Sequence, residues 1–122
     1  MPINKDAVGS KGSARTWAWD SRDALIYALG VGCGVADPVG SELEFTTENT
    51  MGVDQKVLPT FGVLAGFNAQ GGKSAMSGIG TYDPRMLVHG EQGIRLHRPI
   101  PVAGEITLMD EITGIYDKGK GA

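Results

Sequence analysis

Residues 84–101 read PRMLVHGEQGIRLHRPIP, and the alternation within them decides the predicted fold. Apolar side chains recur at even-numbered positions: Met86, Val88, Ile94 and Leu96. Polar side chains occupy odd-numbered positions beside them: His89, Glu91, Arg95 and His97. Because successive side chains of a strand point to opposite faces, this pattern predicts a half-buried β-strand over Met86–Arg98.

A second strand and one buried helix complete the predicted core. Residues Glu105–Tyr116 alternate in the same way, and the hairpin before them is marked by Pro99, Pro101 and Gly104. The segment Val57–Phe67 is apolar on every side, which predicts burial on every side. Long strands beside a buried helix indicate an α+β fold in which an antiparallel sheet wraps a helix. Two or three strands cover a helix poorly, so we expect a truncated sheet, the front part of something longer.

Shorter elements are predicted towards the N-terminus. Residues 1–15 are polar and rich in Gly and Ser, so we expect a loose arm there and one domain over residues 16–122. Trp17 and Trp19 flank a single residue, so both rings share one face of a short strand. Further along, the pattern predicts a helix over Arg22–Leu29, a strand over Leu43–Thr47 and a long loop over Asn68–Pro84.

Composition excludes several classes of protein. The chain has 122 residues, of which 41% are hydrophobic and 20% charged, as is typical of one globular domain. Its net charge of -3 argues against a nucleic-acid partner held by a basic face. Cys33 is the single cysteine and cannot form an internal disulfide, which favours a reducing compartment. Neither a signal peptide nor an apolar run long enough to span a membrane is evident, so we expect a soluble protein.

Two glycine-rich motifs resemble nucleotide-binding sites but lack the required context. Gly30, Gly32 and Gly34 follow a predicted helix, whereas the dinucleotide fingerprint needs a preceding strand and a following helix. The stretch Gly71–Ser74 resembles the end of a P-loop, but that pattern needs glycine where this chain has Phe67. We therefore reject both interpretations.

Spacing and missing partners limit the chemistry of the histidines and the cysteine. His89 and His97 share the predicted strand face with Glu91, but the two histidines are separated by roughly 26 Å along a strand, too far for one metal ion. Cys33 has no neighbouring base in the pattern, and no Gly-x-Ser-x-Gly elbow marks a nucleophilic serine. Residue chemistry favours His89 as a half-exposed strand histidine with one hydrogen bond. A ligand contact stays open, because Gly90 exposes backbone beside it.

Several blocks, taken in order, carry a family resemblance. They extend from about Thr16 to the end of the chain: Trp19–Gly32, Val57–Val63, Met86–Gln92, Leu96–Pro99 and Tyr116–Gly121. The set resembles the N-terminal half of the two-part (R)-specific enoyl-CoA hydratases. These are the type-2 or MaoC-like hydratases, which include the hydratase part of peroxisomal multifunctional enzymes.

The resemblance implies a double hot-dog, two hot-dog folds in one chain, of which this is one half. Such enzymes add water to trans-2-enoyl-CoA and give (3R)-3-hydroxyacyl-CoA in fatty-acid or steroid side-chain β-oxidation, without a metal or redox cofactor. Their acid–base pair is an Asp and a His in a Gly-Asp-x-Asn-Pro-x-His motif. The comparable stretch here, Tyr27–Pro38, has Val31 where the Asp would follow the glycine, and it contains no histidine. We therefore expect no catalytic residue in this chain and no hydration by it alone.

Because the catalytic motif is missing, the resemblance implies that this half of the protein binds substrate. Carried over position by position, it implies contacts with the acyl-CoA thioester from His89, Gly90 and Lys118. Gly90 exposes backbone groups, and Lys118 offers an ammonium to the phosphates of coenzyme A. A solvated terminal lysine stays the alternative for Lys118. The segment Leu58–Phe67 and the loop after it are expected to shape the fatty-acyl cavity.

The resemblance also implies partners and a location. We expect a C-terminal catalytic half or a partner chain, a homodimer of the complete protein, and the bacterial cytoplasm or the peroxisome as its compartment. Two other functions stay open from the sequence. One is a non-catalytic acyl-CoA-binding subunit of a heteromeric hydratase. The other is a hot-dog thioesterase, although Val57–Phe67 lacks the helical carboxylate that such enzymes often use.

Overall fold

Short helices and a two-stranded sheet make up the chain, which is α+β as predicted. The computed structural model describes residues 3–119. In that range the strands are β1 (Arg15–Trp19) and β2 (Gly104–Leu108), which pair antiparallel. The helices are α1 (Ser21–Gly30), α2 (Leu43–Thr46) and α3 (Ala65–Asn68), with 3-10 helices at Lys5–Ala7, Pro59–Leu64, Ala75–Gly78 and Pro84–Met86. No helix within residues 3–119 is long and apolar enough to cross a membrane.

Helix α1 begins at a reciprocal cap that its own sequence supplies. The Asp23 backbone N–H donates to the Asp20 carboxylate at 3.1 Å, and the Asp20 N–H donates to the Asp23 carboxylate at 3.0 Å. These bonds satisfy amide groups at the helix N-terminus that have no acceptor within the helix. Ala24 and Ala28 are its buried residues. The helix predicted over Arg22–Leu29 is therefore confirmed, with one more residue at each end.

The chain divides into two compact units, and an aromatic core belongs to the second. Unit 2 comprises Trp17–Ala69 and Gly93–Ile106. Trp17, Trp19 and Phe61 are buried together, and the Phe61 ring is fully buried. The two indoles lie 4.9 Å apart and Phe61 lies 5.1 Å from Trp17, measured between ring centroids. The prediction that both tryptophans share one strand face is confirmed, since both are buried in β1.

Unit 1 has a smaller, aliphatic core. It comprises the described parts of Met1–Thr16, Gln70–Gln92 and Thr107–Ala122. Three residues from these separate segments are buried together: Ala7, Ala75 and Ile112. Two isoleucines pack against them: Ile79 and Ile115. The core of unit 1 therefore depends on contacts between residues that are far apart in the sequence.

The N-terminal segment of unit 1 is held by backbone hydrogen bonds. The Gly9 N–H donates to the Ile112 carbonyl at 2.7 Å, and the Ile112 N–H donates to the Ser10 carbonyl at 3.0 Å. The Gly12 N–H donates to the Asp110 carbonyl at 2.8 Å. The expectation of a loose arm is therefore wrong for the described residues, because these backbone groups find partners within the fold. The domain boundary near residue 15 stays a prediction.

Three predicted strands are wrong in type or in length. The segment Met86–Arg98 starts at the end of the 3-10 helix Pro84–Met86, and its residues after that helix form no strand. Alternation alone does not make a strand, which also needs a neighbouring strand to pair with, and the described sheet consists of β1 and β2. The strand predicted over Leu43–Thr47 is instead the helix α2, which is held by local hydrogen bonds. The strand predicted over Glu105–Tyr116 is shorter than expected, because only β2 forms there.

The apolar segment Val57–Phe67 is only partly buried. Pro59 opens a 3-10 helix, where its fixed φ and missing N–H are tolerated, and α3 follows directly. Phe61 is fully buried, whereas Phe67 is 76% exposed. The expectation of burial on every side is therefore wrong, because a described sheet of two strands cannot surround the segment.

Candidate functional site

His89 and Gly90 lie on an exposed stretch without regular secondary structure. The Nε2 atom of His89 lies 3.0 Å from the side-chain oxygen of Gln92, so the imidazole makes one side-chain hydrogen bond. A Cβ atom built at Gly90 would meet no atom within 4 Å, so the backbone there is accessible. The predicted strand face shared by His89, Glu91 and His97 is wrong, because no strand forms over these residues.

Lys118 lies in a turn that Asp117 organises. The Gly119 N–H donates to the Asp117 carboxylate at 2.8 Å, and Gly119 has a φ of 75°, a left-handed conformation that glycine adopts at little cost. The Nζ atom of Lys5 lies 4.0 Å from the other carboxylate oxygen of Asp117. The turn therefore presents an exposed Lys118 side chain. The last residues of the matching block Tyr116–Gly121 lie outside the described residues.

The three predicted contact residues share one compact unit. His89, Gly90 and Lys118 all belong to unit 1, and all three are exposed. Within residues 3–119, no hydrogen bond or ion pair joins Lys118 to the other two. Their role in binding coenzyme A therefore stays a prediction, and accessibility is the property that they have in common.

Asp110 is a polar centre of unit 1 that sequence reasoning missed. Its carboxylate accepts hydrogen bonds from the Ser74 hydroxyl and from the Ala75 N–H at 3.1 Å, and it lies 3.6 Å from the Arg15 guanidinium. The hydrogen bond from Ser74 is the largest influence that holds the pKa of Asp110 below its usual value, and the backbone donors and Arg15 act in the same direction. The partners lie far from Asp110 in the sequence, so no local pattern predicts the cluster.

The stretch Gly71–Ser74, rejected above as a P-loop, is occupied by contacts within the protein. The Lys73 N–H donates to the Ser13 hydroxyl at 2.7 Å, and the Ser13 N–H donates to the Lys73 carbonyl at 2.9 Å. The Ser74 hydroxyl donates to Asp110. Groups that a P-loop would direct towards phosphate are therefore already used, which supports the rejection.

The stretch compared with a catalytic motif, Tyr27–Pro38, is held by local hydrogen bonds. The Cys33 N–H donates to the Ala28 carbonyl at 2.9 Å, and the Gly34 N–H donates to the Glu42 carboxylate. Burial raises the pKa of the Cys33 thiol, and the Glu42 carboxylate raises it further. A raised pKa disfavours the nucleophilic thiolate, so Cys33 is not activated. Within residues 3–119, no group of three or more side chains is arranged to hold a metal ion.

An apolar groove lies in unit 2. Its volume is about 280 Å³, and its apolar lining combines bulky and small residues: Trp17, Trp19, Gly62, Ala65, Leu96, Ile100 and Ile106. One wall is fixed by a hydrogen bond, since the Trp19 indole N–H donates to the Pro101 carbonyl at 2.8 Å. Two charged residues, Arg98 and Glu105, also line the groove. A concave apolar surface with a few polar groups is the usual form of a small-molecule site.

One side of the groove comes from the segment that was predicted to shape a fatty-acyl cavity, and that role stays a prediction. Gly62 and Ala65 come from the segment Leu58–Phe67 that was expected to shape the cavity. The opposite side comes from Leu96–Pro101, which the strand prediction did not place there. None of the described residues that line the groove comes from the loop after Phe67. The prolines around Ile100 were a signal that this stretch departs from a regular strand.

Comparison with known proteins places these features in a family. The family described as the MFE-2 hydratase 2 N-terminal domain matches residues 17–122. The chain is 44% identical to 3-hydroxyacyl-thioester dehydratase Y of Mycobacterium tuberculosis, over 99% of this chain and 39% of that protein. It is 34% identical to peroxisomal multifunctional enzyme type 2 of Mus musculus, over 94% of this chain and 15% of that protein. It is 36% identical to peroxisomal enoyl-CoA hydratase 2 of Arabidopsis thaliana, over 87% of this chain and 34% of that protein.

These matches define a hot-dog domain of the enoyl-CoA hydratase and dehydratase class. The chain belongs to the MFE-2 hydratase 2 N-terminal domain family, which confirms the resemblance seen in the sequence. Two of these relatives are named as a dehydratase and a hydratase, which are hydro-lyases. The three relatives include mycobacterial and peroxisomal proteins. The chain spans 39%, 15% and 34% of the lengths of these three relatives.

Proposed function

We propose that this chain is the substrate-binding N-terminal half of an enzyme that adds water to trans-2-enoyl-CoA. The product would be (3R)-3-hydroxyacyl-CoA, formed in fatty-acid or steroid side-chain β-oxidation. Family membership and the names of the relatives support the reaction class. The observation that carries the substrate-binding role is the apolar groove of unit 2.

The groove suits the alkyl chain of an acyl-CoA. Burial of each methylene group contributes about 0.8 kcal/mol, so an apolar groove selects an alkyl chain over polar ligands. Coenzyme A joins that chain to a headgroup with several phosphates, and Arg98 at the groove offers a cation of complementary charge. The occupant that we propose is therefore the acyl chain of a coenzyme A thioester.

The acid–base chemistry is proposed to lie outside this chain. Hydration needs one group to deprotonate water and another to protonate the α-carbon. Val31 occupies the position of the family's Asp, and the two histidines of the chain, His89 and His97, are both exposed and lie far from that stretch in the sequence. We propose that a C-terminal catalytic half or a partner chain supplies the Asp–His pair. The complete protein would form a homodimer in the bacterial cytoplasm or the peroxisome.

His89, Gly90 and Lys118 stay proposed contacts with coenzyme A, as the family resemblance implies. Gly90 leaves backbone N–H and C=O groups accessible to the amides of the pantetheine arm, and the turn at Asp117 presents the Lys118 ammonium to a phosphate. His89 would contribute a polar edge beside Gly90. Saturable binding of trans-2-decenoyl-CoA to this chain, followed by the fluorescence of Trp17 and Trp19 in the groove, tests the proposed function.

Replacing Gly90 by leucine is expected to weaken the binding of trans-2-decenoyl-CoA about fivefold to tenfold. The added side chain would block one backbone hydrogen bond, which is worth about 1 kcal/mol. Stability should not change, because a Cβ atom at this position meets nothing within 4 Å. Isothermal titration calorimetry measures the dissociation constant.

Gly93→Leu is the matched control for Gly90→Leu. A Cβ atom at Gly93 also meets no atom within 4 Å, so both variants add the same side chain at an open position. Equal dissociation constants for the two variants would remove Gly90 from the site.

A further inference from the structure

Gly62 is a small residue at the lining of the apolar groove, opposite two aliphatic side chains. It lies in the 3-10 helix Pro59–Leu64, and Ala65 follows it in the same wall. A Cβ atom built at Gly62 would lie 3.5 Å from Ile100 Cδ1 and 3.9 Å from Leu96 Cδ2. These are ordinary van der Waals distances, so the methyl group of an alanine at this position would contact both side chains without displacing them.

The backbone gives no reason for glycine at this position. Gly62 is not among the glycines with positive φ, so its conformation is open to residues with a side chain. Its carbonyl accepts a hydrogen bond from the Ala65 N–H, and a substitution at Cα leaves that bond in place. What the missing side chain provides is space in the groove.

We propose that Gly62 sets the length of acyl chain that the groove accepts. This inference rests on the proposed function, since it takes the acyl chain as the occupant. A long acyl chain would use the space beside Ile100 and Leu96, whereas a short chain would leave that space empty. Gly62 is thus a specificity residue for chain length, without a part in the chemical step.

The test compares a long and a short ligand on a graded series of variants. Each buried methylene contributes about 0.8 kcal/mol, which corresponds to about fourfold in the dissociation constant. Valine excludes about two methylenes, so Gly62→Val should weaken the binding of trans-2-hexadecenoyl-CoA more than tenfold. The binding of crotonyl-CoA should change less than twofold, and Gly62→Ala should fall between wild type and Gly62→Val.

Gly66→Val serves as the control, because Gly66 lies four residues further along, has open space around its Cα and does not line the groove. Thermal unfolding of each variant checks that the fold is kept. Equal losses for both ligands, or no loss for the long one, would overturn the role of Gly62 while leaving the proposed function in place. Absence of acyl-CoA binding by the wild-type chain would overturn both.

Discussion

Replacing Phe61 by alanine is expected to lower the free energy of unfolding by about 3–5 kcal/mol. Phe61 is fully buried, and its ring contacts the rings of Trp17, Trp19 and Tyr27 at centroid distances of 5.1, 6.1 and 5.5 Å. Alanine would leave a cavity in the middle of this cluster, and each of the three remaining rings would lose its contact with the Phe61 ring. Urea unfolding followed by tryptophan fluorescence measures the change, because both tryptophans belong to the cluster.

Phe67→Ala is the matched control for this prediction. The same substitution at Phe67 removes a ring that is 76% exposed, six positions along the same apolar segment. Its effect should stay within about 0.5 kcal/mol, as for most surface substitutions. Similar losses for the two variants would contradict the assignment of Phe61 as the centre of the unit 2 core.

Replacing Gly12 by alanine is expected to cost about 3 kcal/mol of stability in unit 1. A Cβ atom at Gly12 would lie 2.6 Å from the Lys73 carbonyl oxygen, 2.9 Å from the Ala75 nitrogen, and too close to the Asp110 carboxylate. Two of these three atoms belong to the backbone, so a side-chain rotation cannot relieve the clash. The substitution would also disturb the hydrogen bonds that Asp110 accepts from Ser74 and Ala75.

Gly30→Ala provides the control for Gly12→Ala. Gly30 is the last residue of α1, and a Cβ atom there meets no atom within 4 Å. Alanine is a better helix former than glycine, so this variant should be as stable as wild type or slightly more stable. Hydrogen exchange of the Gly9 and Ile112 amides, compared between the two variants, locates the damage. Unchanged protection in Gly12→Ala would mean that the N-terminal segment does not pack closely against Asp110.

Elements with strong local signals were predicted well. Helix α1 has its cap at Asp20 and a glycine at its end, so its bounds follow from neighbouring residues. The spacing of Trp17 and Trp19 likewise predicts, without any other information, that both side chains lie on the same face of a strand. Elements that depend on distant partners were predicted badly, because alternation over Met86–Arg98 is only half of what a strand needs. The other half is a paired neighbour, and sequence pattern does not supply it.

The residues of the candidate site also divide into those that the sequence predicts and those that depend on distant partners. His89, Gly90 and Lys118 came from a family resemblance, and the structure adds that they are accessible. The groove was anticipated only on its Leu58–Phe67 side. Its opposite wall and the Asp110 cluster are made by residues that are distant in the sequence and come together only in the folded chain. A short stretch of sequence therefore does not predict either of them. Gly62 is one residue of the apolar segment Val57–Phe67, and only its position at the groove indicates a role in binding.

The central claim is that this chain binds an enoyl-CoA but does not hydrate it. One titration of residues 1–122 with trans-2-decenoyl-CoA tests it most directly, with tryptophan fluorescence reporting binding and the absorbance of the conjugated thioester reporting hydration. We expect a saturable fluorescence change, weakened by Lys118→Ala, while the absorbance decays no faster than in buffer. Catalytic loss of that absorbance would contradict the claim, because it would require an acid–base pair within this chain. A linear, non-saturating fluorescence response would contradict it equally, because the chain would then have no site for the substrate.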